Sequence, residues 1–329
     1  MKILITGGAG FIGSQLGRFL SNKHDIFSLD NLSYGNLENL RHKGSTFSEF
    51  IKCDIRDDNF HEFCKGMDVV VHLAGIAPLP ESQINPVNAY DNNVIGTLNV
   101  LESCKKHGVK KVIFSSTSAV YENSKTYPLA EDTGFENPDL IYSMTKLACE
   151  NLCSSYVKNY DMDITVIRFF NVYGPNQDHL RKQPPLLGYI TKCLLENKNP
   201  VFYSSGEQKR DYIYVDDVSR LIEKCFENES SQGQIFNACS GNTYSVKEIY
   251  ELFKKHFGSD LECRFEEPKN FWDKYPSLFE GTYPLKRERI VKEVNKFSLG
   301  TYKKATDLLN WSPQVSLSEG IKKCLKEIE

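Results

Sequence analysis

A tyrosine and a lysine four residues apart, Tyr142 and Lys146, have the types and spacing for acid–base chemistry. If this segment is helical, both side chains lie on one face and can point into one cleft. A tyrosine normally ionises near pH 10, so a phenolate near pH 7 needs about 4 kcal/mol of differential stabilisation, which a nearby cation favours. On an arbitrary helix such a pair is more often a solvated surface pair, so its surroundings decide the interpretation.

A polar segment precedes that pair in the sequence. The apolar run Lys111–Ser115 predicts a buried strand, and Ser116 and Thr117 follow at its carboxyl end. In open α/β sheets, ligands bind beyond the carboxyl ends of the strands. This placement favours a functional role for Tyr142 over that of a surface residue.

A glycine-rich turn near the N-terminus is the second chemical signal. An apolar run over residues 3–5 predicts a buried strand, and Gly7, Gly10 and Gly13 lead from it into an amphipathic segment over residues 14–21. Glycines at such positions allow a sharp turn and the close approach of a diphosphate. The free N–H groups and the positive dipole end of the following helix would then face that diphosphate.

Asp30 ends a second apolar segment about twenty residues further on, at the spacing typical of dinucleotide-binding folds. A carboxylate at this place would accept hydrogen bonds from both hydroxyls of an adenosine ribose. No Arg or Lys is adjacent to Asp30 to hold a 2′-phosphate, so the sequence favours NAD over NADP. The alternative is a glycine turn that merely packs a helix on a strand.

Short apolar runs alternate with helical patterns through the first half of the chain. The candidate strands are Lys2–Thr6, Ile26–Asp30, Phe50–Cys53, Val69–Leu73, Lys111–Ser115 and Ile164–Phe169. The candidate helices begin near Phe11, Asp57, Pro86 and Tyr142. This alternation predicts an α/β fold of the Rossmann type, with a doubly wound parallel sheet covered on both faces.

The second half of the chain is less regular, with clustered prolines and an aromatic-rich stretch around residues 268–284. We expect an NAD-binding domain over residues 1–174, with a return to its sheet near residues 201–236. Residues 175–329 should form mainly a smaller α/β lobe that binds the substrate.

Composition excludes several classes of function. The chain has 329 residues and a net charge of −3, which favours neither nucleic acid nor an anionic membrane as a partner. No apolar stretch is long enough to span a bilayer, and the N-terminus does not resemble a signal peptide. The ten cysteines include no CxxC pair, and no His or further Cys near Cys149 and Cys153 completes a metal site. Reduced thiols, a cytoplasmic location and the absence of a metal are therefore expected.

Further motifs run in order through nearly the whole chain. They are Gly7–Gly13, Asp30–Leu32, Asp54–Asp57, His72–Gly75, Tyr90–Thr97, Ser115–Thr117, Tyr142 with Lys146, Arg168–Pro175, Arg210–Asp217 and Leu309–Pro313. Together they resemble the extended short-chain dehydrogenase/reductases, in the NAD-dependent epimerase and dehydratase group that acts on nucleotide sugars. Within that group the chain is most similar to the UDP-galactose (UDP-glucose) 4-epimerases.

The resemblance implies roles for particular residues. The catalytic residues would be Thr117, Tyr142 and Lys146. The substrate, a nucleotide sugar and foremost a UDP-sugar, would be bound by Thr117, Tyr142, Asn171 and Arg210. NAD would be bound by Gly7, Gly10, Phe11, Ile12, Gly13, Asp30, Asn31, Asp54, Ile55, Leu73, Ala74, Gly75, Asn93, Ser115, Tyr142 and Lys146. Among these, Asp54 and Ile55 would hold the adenine, and Asn93 would steady the active-site helix.

The activity that the resemblance implies is inversion at C4 of a nucleotide-bound hexose through a transient 4-keto sugar. Tyr142 would take the proton of the 4-hydroxyl, with Thr117 bridging the two. Lys146 would hold the nicotinamide ribose and lower the pKa of Tyr142. An alternative with the same residues is net oxidation or reduction at C4, by a dehydrogenase or a 4-keto reductase. The resemblance also implies a homodimer, paired through segments Val87–His107 and Tyr142–Tyr160.

Three departures from the resembled pattern refine these expectations. Ser118 and Ala119 stand where the dehydratases carry an acidic pair, which disfavours dehydration. Glu122 replaces the usual glycine after Val120 and Tyr121. Phe297 is predicted to line the sugar pocket, where its ring would crowd an N-acetyl group.

Overall fold

A parallel sheet of seven strands forms the centre of the computed structural model, which describes residues 1–133, 137–177 and 184–326. Every strand pairing in this sheet is parallel. The strands in spatial order are Ile235–Ala238, Ile164–Phe169, Lys111–Thr117, Val69–His72, Lys2–Thr6, Asp25–Asp30 and Glu49–Lys52. The predicted Rossmann-type α/β fold is confirmed.

Alternate residues of the first strand serve two separate apolar cores. Ile3 and Ile5 pack in one cluster with Leu16 of the following helix, while Leu4 belongs to a second cluster with Val70. Because successive strand side chains point to opposite faces, both faces of this sheet are buried under helices. That is why the strands are continuous apolar runs rather than alternating ones.

Helices cover the sheet and build the second lobe. In chain order they are Phe11–Leu20, Leu79–Ile84, Pro86–Tyr90, Gly96–His107, Ile141–Tyr160, Leu186–Leu195, Val215–Glu227, Val246–Phe257, Pro268–Trp272, Arg287–Val294, Lys303–Leu309 and Leu317–Lys326. One π-helical turn, Asp91–Ile95, joins the helix that begins at Pro86 to Gly96–His107. No helix in the described ranges is long and apolar enough to cross a membrane.

The helix predicted from Asp57 is wrong in type. The structure has only the 3₁₀ helix Phe60–Cys64 there. Gly66, at φ +75°, turns the chain after this single stretch, and the next strand begins at Val69. Only five residues are helical here, and 3₁₀ geometry is common in such short connecting pieces.

The second lobe shares elements with the first. Its three-stranded sheet has the order Thr243–Ser245, Lys209–Tyr214 and Asn171–Tyr173. Strand Ile235–Ala238 returns to the edge of the large sheet, and Ala305, Leu309 and Trp311 pack into the core beneath it. The division into residues 1–174 and 175–329 stays a prediction.

Candidate active site

A cavity of about 370 Å³ opens at the carboxyl ends of the first two strands. Gly7, Gly10 and Asp30 line it, as the sequence predicts. The backbone N–H groups of Ala9 and Leu32 donate hydrogen bonds of 3.1 and 2.8 Å to the Asp30 carboxylate. Burial raises the pKa of Asp30, while these bonds oppose the shift. The carboxylate is thus held in a fixed orientation at the cavity wall.

The glycine turn fits a dinucleotide. Gly7 has φ +71°, a conformation that side chains disfavour, and a Cβ there would lie 2.9 Å from the backbone nitrogen of Ala74. A Cβ on Gly13 would overlap the carbonyl oxygen of Gly7. Only glycine leaves the backbone of this turn, and the N-terminus of helix Phe11–Leu20, open to a diphosphate.

Asp54 and Arg56 also line this cavity, and they form an ionic network with Asp91. Arg56 donates to Asp54 through Nε and Nη2, at 2.9 and 2.8 Å, and through Nη1 to Asp91 at 2.6 Å. Asn31 adds a 2.8 Å bond to Asp54. These donors hold the pKa of Asp54 well below its usual range, with the Arg56 hydrogen bond as the largest cause. Arg56 was missed although its neighbours Asp54 and Ile55 were predicted, because the local pattern does not show that its guanidinium pairs with both Asp54 and Asp91.

A second cavity, of about 530 Å³, continues from the glycine turn into the substrate side. It brings together predicted site residues from six separate parts of the chain. Those that line it are Gly7, Gly10, Phe11, Ile12, Gly13, Leu73, Gly75, Ser115, Thr117, Tyr142, Lys146, Asn171 and Arg210. Ala74, Asn31, Asp54 and Ile55 line the first cavity.

Tyr142 and Thr117 both line this cavity. Tyr142 lies in the first turn of helix Ile141–Tyr160, and Thr117 ends strand Lys111–Thr117. Burial raises the pKa of the Tyr142 phenol to about 12, and a hydrogen bond with Thr117 partly opposes that rise. Among the described protein groups, the hydrogen bond with Thr117 is the interaction that favours the phenolate.

Lys146 points at the cofactor side of the cavity. Its ammonium donates a 2.8 Å hydrogen bond to the carbonyl of Ser115 and lies 4.9 Å from the centre of the Phe114 ring. Burial lowers the pKa of Lys146 itself. Burial is the largest cause of the Tyr142 pKa shift, and Lys146 is not among its causes. The expected lowering of the pKa of Tyr142 by Lys146 stays a prediction.

Asn93 lies behind the cavity wall. It accepts from the backbone N–H of Ile76 at 2.8 Å and donates to the Ile76 carbonyl at 3.1 Å. It also donates to Thr145 Oγ1 at 2.9 Å, in the first turns of the active-site helix. This buried amide ties the active-site helix to the cavity wall, so its geometry is that of a support rather than of a cofactor ligand.

Asn171 and Arg210 come together at the far end of the second cavity. Asn171 donates to the carbonyl of Asp211 at 2.7 Å, which fixes it beside the strand of Arg210. Arg210 Nη2 donates to the carbonyl of Glu293 at 2.8 Å. Its Nε is buried without a hydrogen-bond partner in the part of the chain that the structure describes. A guanidinium that lines a cavity suits an anionic ligand.

A third cavity, of about 550 Å³, shares Ala77, Leu186 and Arg210 with the second. Its walls include the aromatic residues Tyr189, Phe202, Tyr203, Phe271 and Trp272. The aromatic-rich stretch of the sequence was the available signal for this wall. Because that stretch has no clear helical or strand periodicity, the sequence predicts neither its fold nor its role.

Phe297 does not line these cavities, so the prediction that it bounds the sugar pocket is wrong. Its side chain is 36% exposed and packs edge-on against Tyr127, with ring centres 4.8 Å apart. The neighbouring Ser298 is buried instead, and its Oγ accepts a 3.4 Å hydrogen bond from the backbone N–H of Asp211. The inward-facing position of this segment is therefore at least one residue away from Phe297.

Comparison with known proteins places this geometry in a family. Residues 3–239 match the model of the NAD dependent epimerase/dehydratase family. The UDP-glucose 4-epimerase of Mycolicibacterium smegmatis is 31% identical over 99% of this chain and 98% of its own length.

Two solved structures are also similar. UDP-glucose 4-epimerase from Thermotoga maritima with UDP-glucose is 32% identical, with a TM-score of 0.86 over 100% of this chain and 98% of that one. UDP-glucuronic acid 4-epimerase from Bacillus cereus, in complex with UDP-glucuronic acid and NAD, is 28% identical, with a TM-score of 0.82 over 100% of both chains. With its glycine turn, Asp30 and the Tyr142 cavity in one cleft, this chain belongs to the NAD-dependent epimerase/dehydratase family.

Proposed function

We propose that this protein is an NAD-dependent 4-epimerase that inverts C4 of a UDP-hexose, with Thr117, Tyr142 and Lys146 as its catalytic residues. The observation that carries the proposal is the single cavity in which Tyr142 and Thr117 lie between the glycine turn and Arg210. A reacting hydroxyl placed beside Tyr142 is thus flanked by a cofactor site on one side and an anion site on the other.

The residues divide the chemistry between them. NAD, when bound, supplies a hydride acceptor next to the reacting carbon. Tyr142 takes the proton of the sugar 4-hydroxyl and later returns it, while Thr117 orients both oxygens through its hydroxyl. Lys146, buried against the Ser115 carbonyl, is placed to donate to a ribose hydroxyl from the cavity floor.

The substrate end of the cleft fits a nucleoside diphosphate. Arg210 and Asn171 would contact the phosphate oxygens, because a guanidinium and an amide donor both match them. The aromatic wall of the third cavity would then receive the nucleobase, which stacks on flat rings. The complex of the Thermotoga maritima enzyme with UDP-glucose supports UDP as the nucleotide.

The test is a substrate panel. UDP-, GDP-, CDP- and dTDP-hexoses, with UDP-glucuronic acid included, are incubated with the protein and followed by NMR for inversion at C4. Nicotinamide absorbance is recorded in parallel. Inversion of a UDP-sugar without net change in absorbance is expected, whereas stoichiometric NADH formation would make the protein a dehydrogenase.

We also propose a homodimer, formed through the helices on the face that carries the active-site helix. Apolar side chains project from this face: Val87 is 78% exposed, Ile95 52% and Met144 39%. Pairing of two copies would remove these side chains from water. Light scattering at micromolar concentration should give twice the mass of one chain, and a monomer would refute the dimer.

A further inference from the structure

Glu122 lies where the active-site helix begins. Its side chain is 1% exposed and accepts hydrogen bonds from the backbone N–H groups of Asp139 and Leu140 and from Ser143 Oγ, the last at 2.9 Å. Leu140 immediately precedes helix Ile141–Tyr160. The carboxylate therefore satisfies donors at the start of this helix, which have no partner within the helix. A glycine at position 122 could not do this.

Arg289 reaches this carboxylate from the second lobe. Its Nη2 lies 2.8 Å from Glu122 Oε1, and its side chain is only 13% exposed. Its Nε lies 3.9 Å from the carboxylate of Asp139. A buried pair of this kind is costly to break, because removal of one partner leaves the other charge uncompensated.

Arg289 belongs to the bridging helix, which we define as Arg287–Val294. The carbonyl of Glu293, near the other end of this helix, accepts the 2.8 Å hydrogen bond from Arg210. The bridging helix is eight residues long, so it is a short, stiff element. It contacts the start of the Tyr142 helix at one end and Arg210 at the other.

We propose that Glu122 and Arg289 are positioning residues, which hold Tyr142 and Arg210 in mutual register through the bridging helix. This inference rests on the proposed function for the roles of Tyr142 and Arg210. An epimerase must place the 4-hydroxyl at Tyr142 while the diphosphate is gripped at Arg210, so the distance between the two residues is a condition of catalysis. A displacement of about 1 Å between reacting groups can cost on the order of a hundredfold in rate.

The test compares two arginines of the bridging helix. Arg289→Gln breaks the buried pair with Glu122. The matched control, Arg287→Gln, breaks an exposed pair, in which the Arg287 side chain is 56% and the Asp273 side chain 51% exposed. Arg289→Gln should lower kcat on UDP-glucose by about tenfold or more. It should also speed amide hydrogen exchange across residues 137–147. Arg287→Gln should change neither quantity, and Arg289→Lys should restore part of kcat.

The partner substitution supplies a second arm. Glu122→Gln should lower kcat as Arg289→Gln does, and the double variant should be no worse than either single one, because both remove the same interaction. Equal hydrogen exchange in Arg289→Gln and Arg287→Gln, or fully additive losses in the double variant, would overturn the inference. Absence of C4 inversion by the unmodified protein would instead overturn the proposed function, and the exchange comparison would still decide whether the bridge exists.

Discussion

At the Asp30 end of the cleft the charged groups have hydrogen-bond partners. At the Arg210 end, one N–H donor of a guanidinium has none among the described residues. Arg56 pairs with both Asp54 and Asp91, and two backbone amides hold Asp30. Arg210, by contrast, has a buried Nε with no partner among the described residues. Under the proposed function, this difference predicts a cofactor site that is built before binding and a substrate site that the charges of its ligand complete.

The reacting centre between the two ends should be the most sensitive. Tyr142→Phe removes the hydroxyl but keeps the ring, so fold and NAD content should persist while kcat falls by at least about a hundredfold, the scale of one acid–base group. Steady-state kinetics with UDP-glucose and NAD released on denaturation measure the two quantities. Tyr160→Phe, 54% exposed on the same helix, is the control. Similar rates in both variants would contradict the assignment of Tyr142.

Arg210→Gln tests whether the Arg210 guanidinium binds the substrate. A hydrogen bond to a charged group contributes about 1.5–3 kcal/mol, so kcat/KM for UDP-glucose should fall roughly ten- to hundredfold. Affinity for NAD should not change, since the other end of the cleft is intact. Arg264→Gln, an exposed arginine of the same lobe, should have no effect. A matching loss of NAD affinity would show that the two ends are not independent.

Preorganisation at the adenosine end predicts cofactor selectivity. A 2′-phosphate placed against Asp30 meets a like charge, which typically costs several kcal/mol, so NAD should bind about a hundredfold or more tightly than NADP. Calorimetry gives both dissociation constants. Asp30→Ser should narrow the ratio, and Asp25→Ser at the exposed start of the same strand should not. Comparable dissociation constants for NAD and NADP in the unmodified protein would contradict the role given to Asp30.

The smallest effect is expected outside both ends. Phe297 packs on Tyr127 at the surface, so Phe297→Ser should leave the ratio of kcat/KM for UDP-glucose and UDP-N-acetylglucosamine unchanged. A rise in relative activity on the N-acetylated sugar would show that Phe297 lines the sugar pocket. The ratio is measured by competition between the two substrates in one NMR sample.

The same contrast explains what the sequence predicts well. The glycine turn, Asp30 and the parallel strands follow from short-range patterns, because each depends on neighbouring residues and on strand order. Tyr142 and Lys146 are readable for the same reason, as two positions on one helix face.

Other features depend on where irregular segments fold back. Arg56 pairs with Asp91, 35 positions away, and the pairing of Glu122 with Arg289 joins residues 167 positions apart. The prediction for Phe297 is wrong for the same reason, because a shift of one residue in an extended segment reverses which side chain faces inward. Burial and long-range contact, rather than local pattern, decide these positions.

The central claim is inversion at C4 by removal and return of the same hydrogen. UDP-glucose carrying deuterium at C4 is incubated with the protein as purified, without added cofactor, and UDP-galactose is analysed by NMR and mass spectrometry. The account predicts that the product keeps the deuterium at C4, because it leaves and returns within one closed site. Loss of the deuterium from C4 of the product, or a 4-keto sugar as the final product, would contradict the account and make the protein a net oxidoreductase.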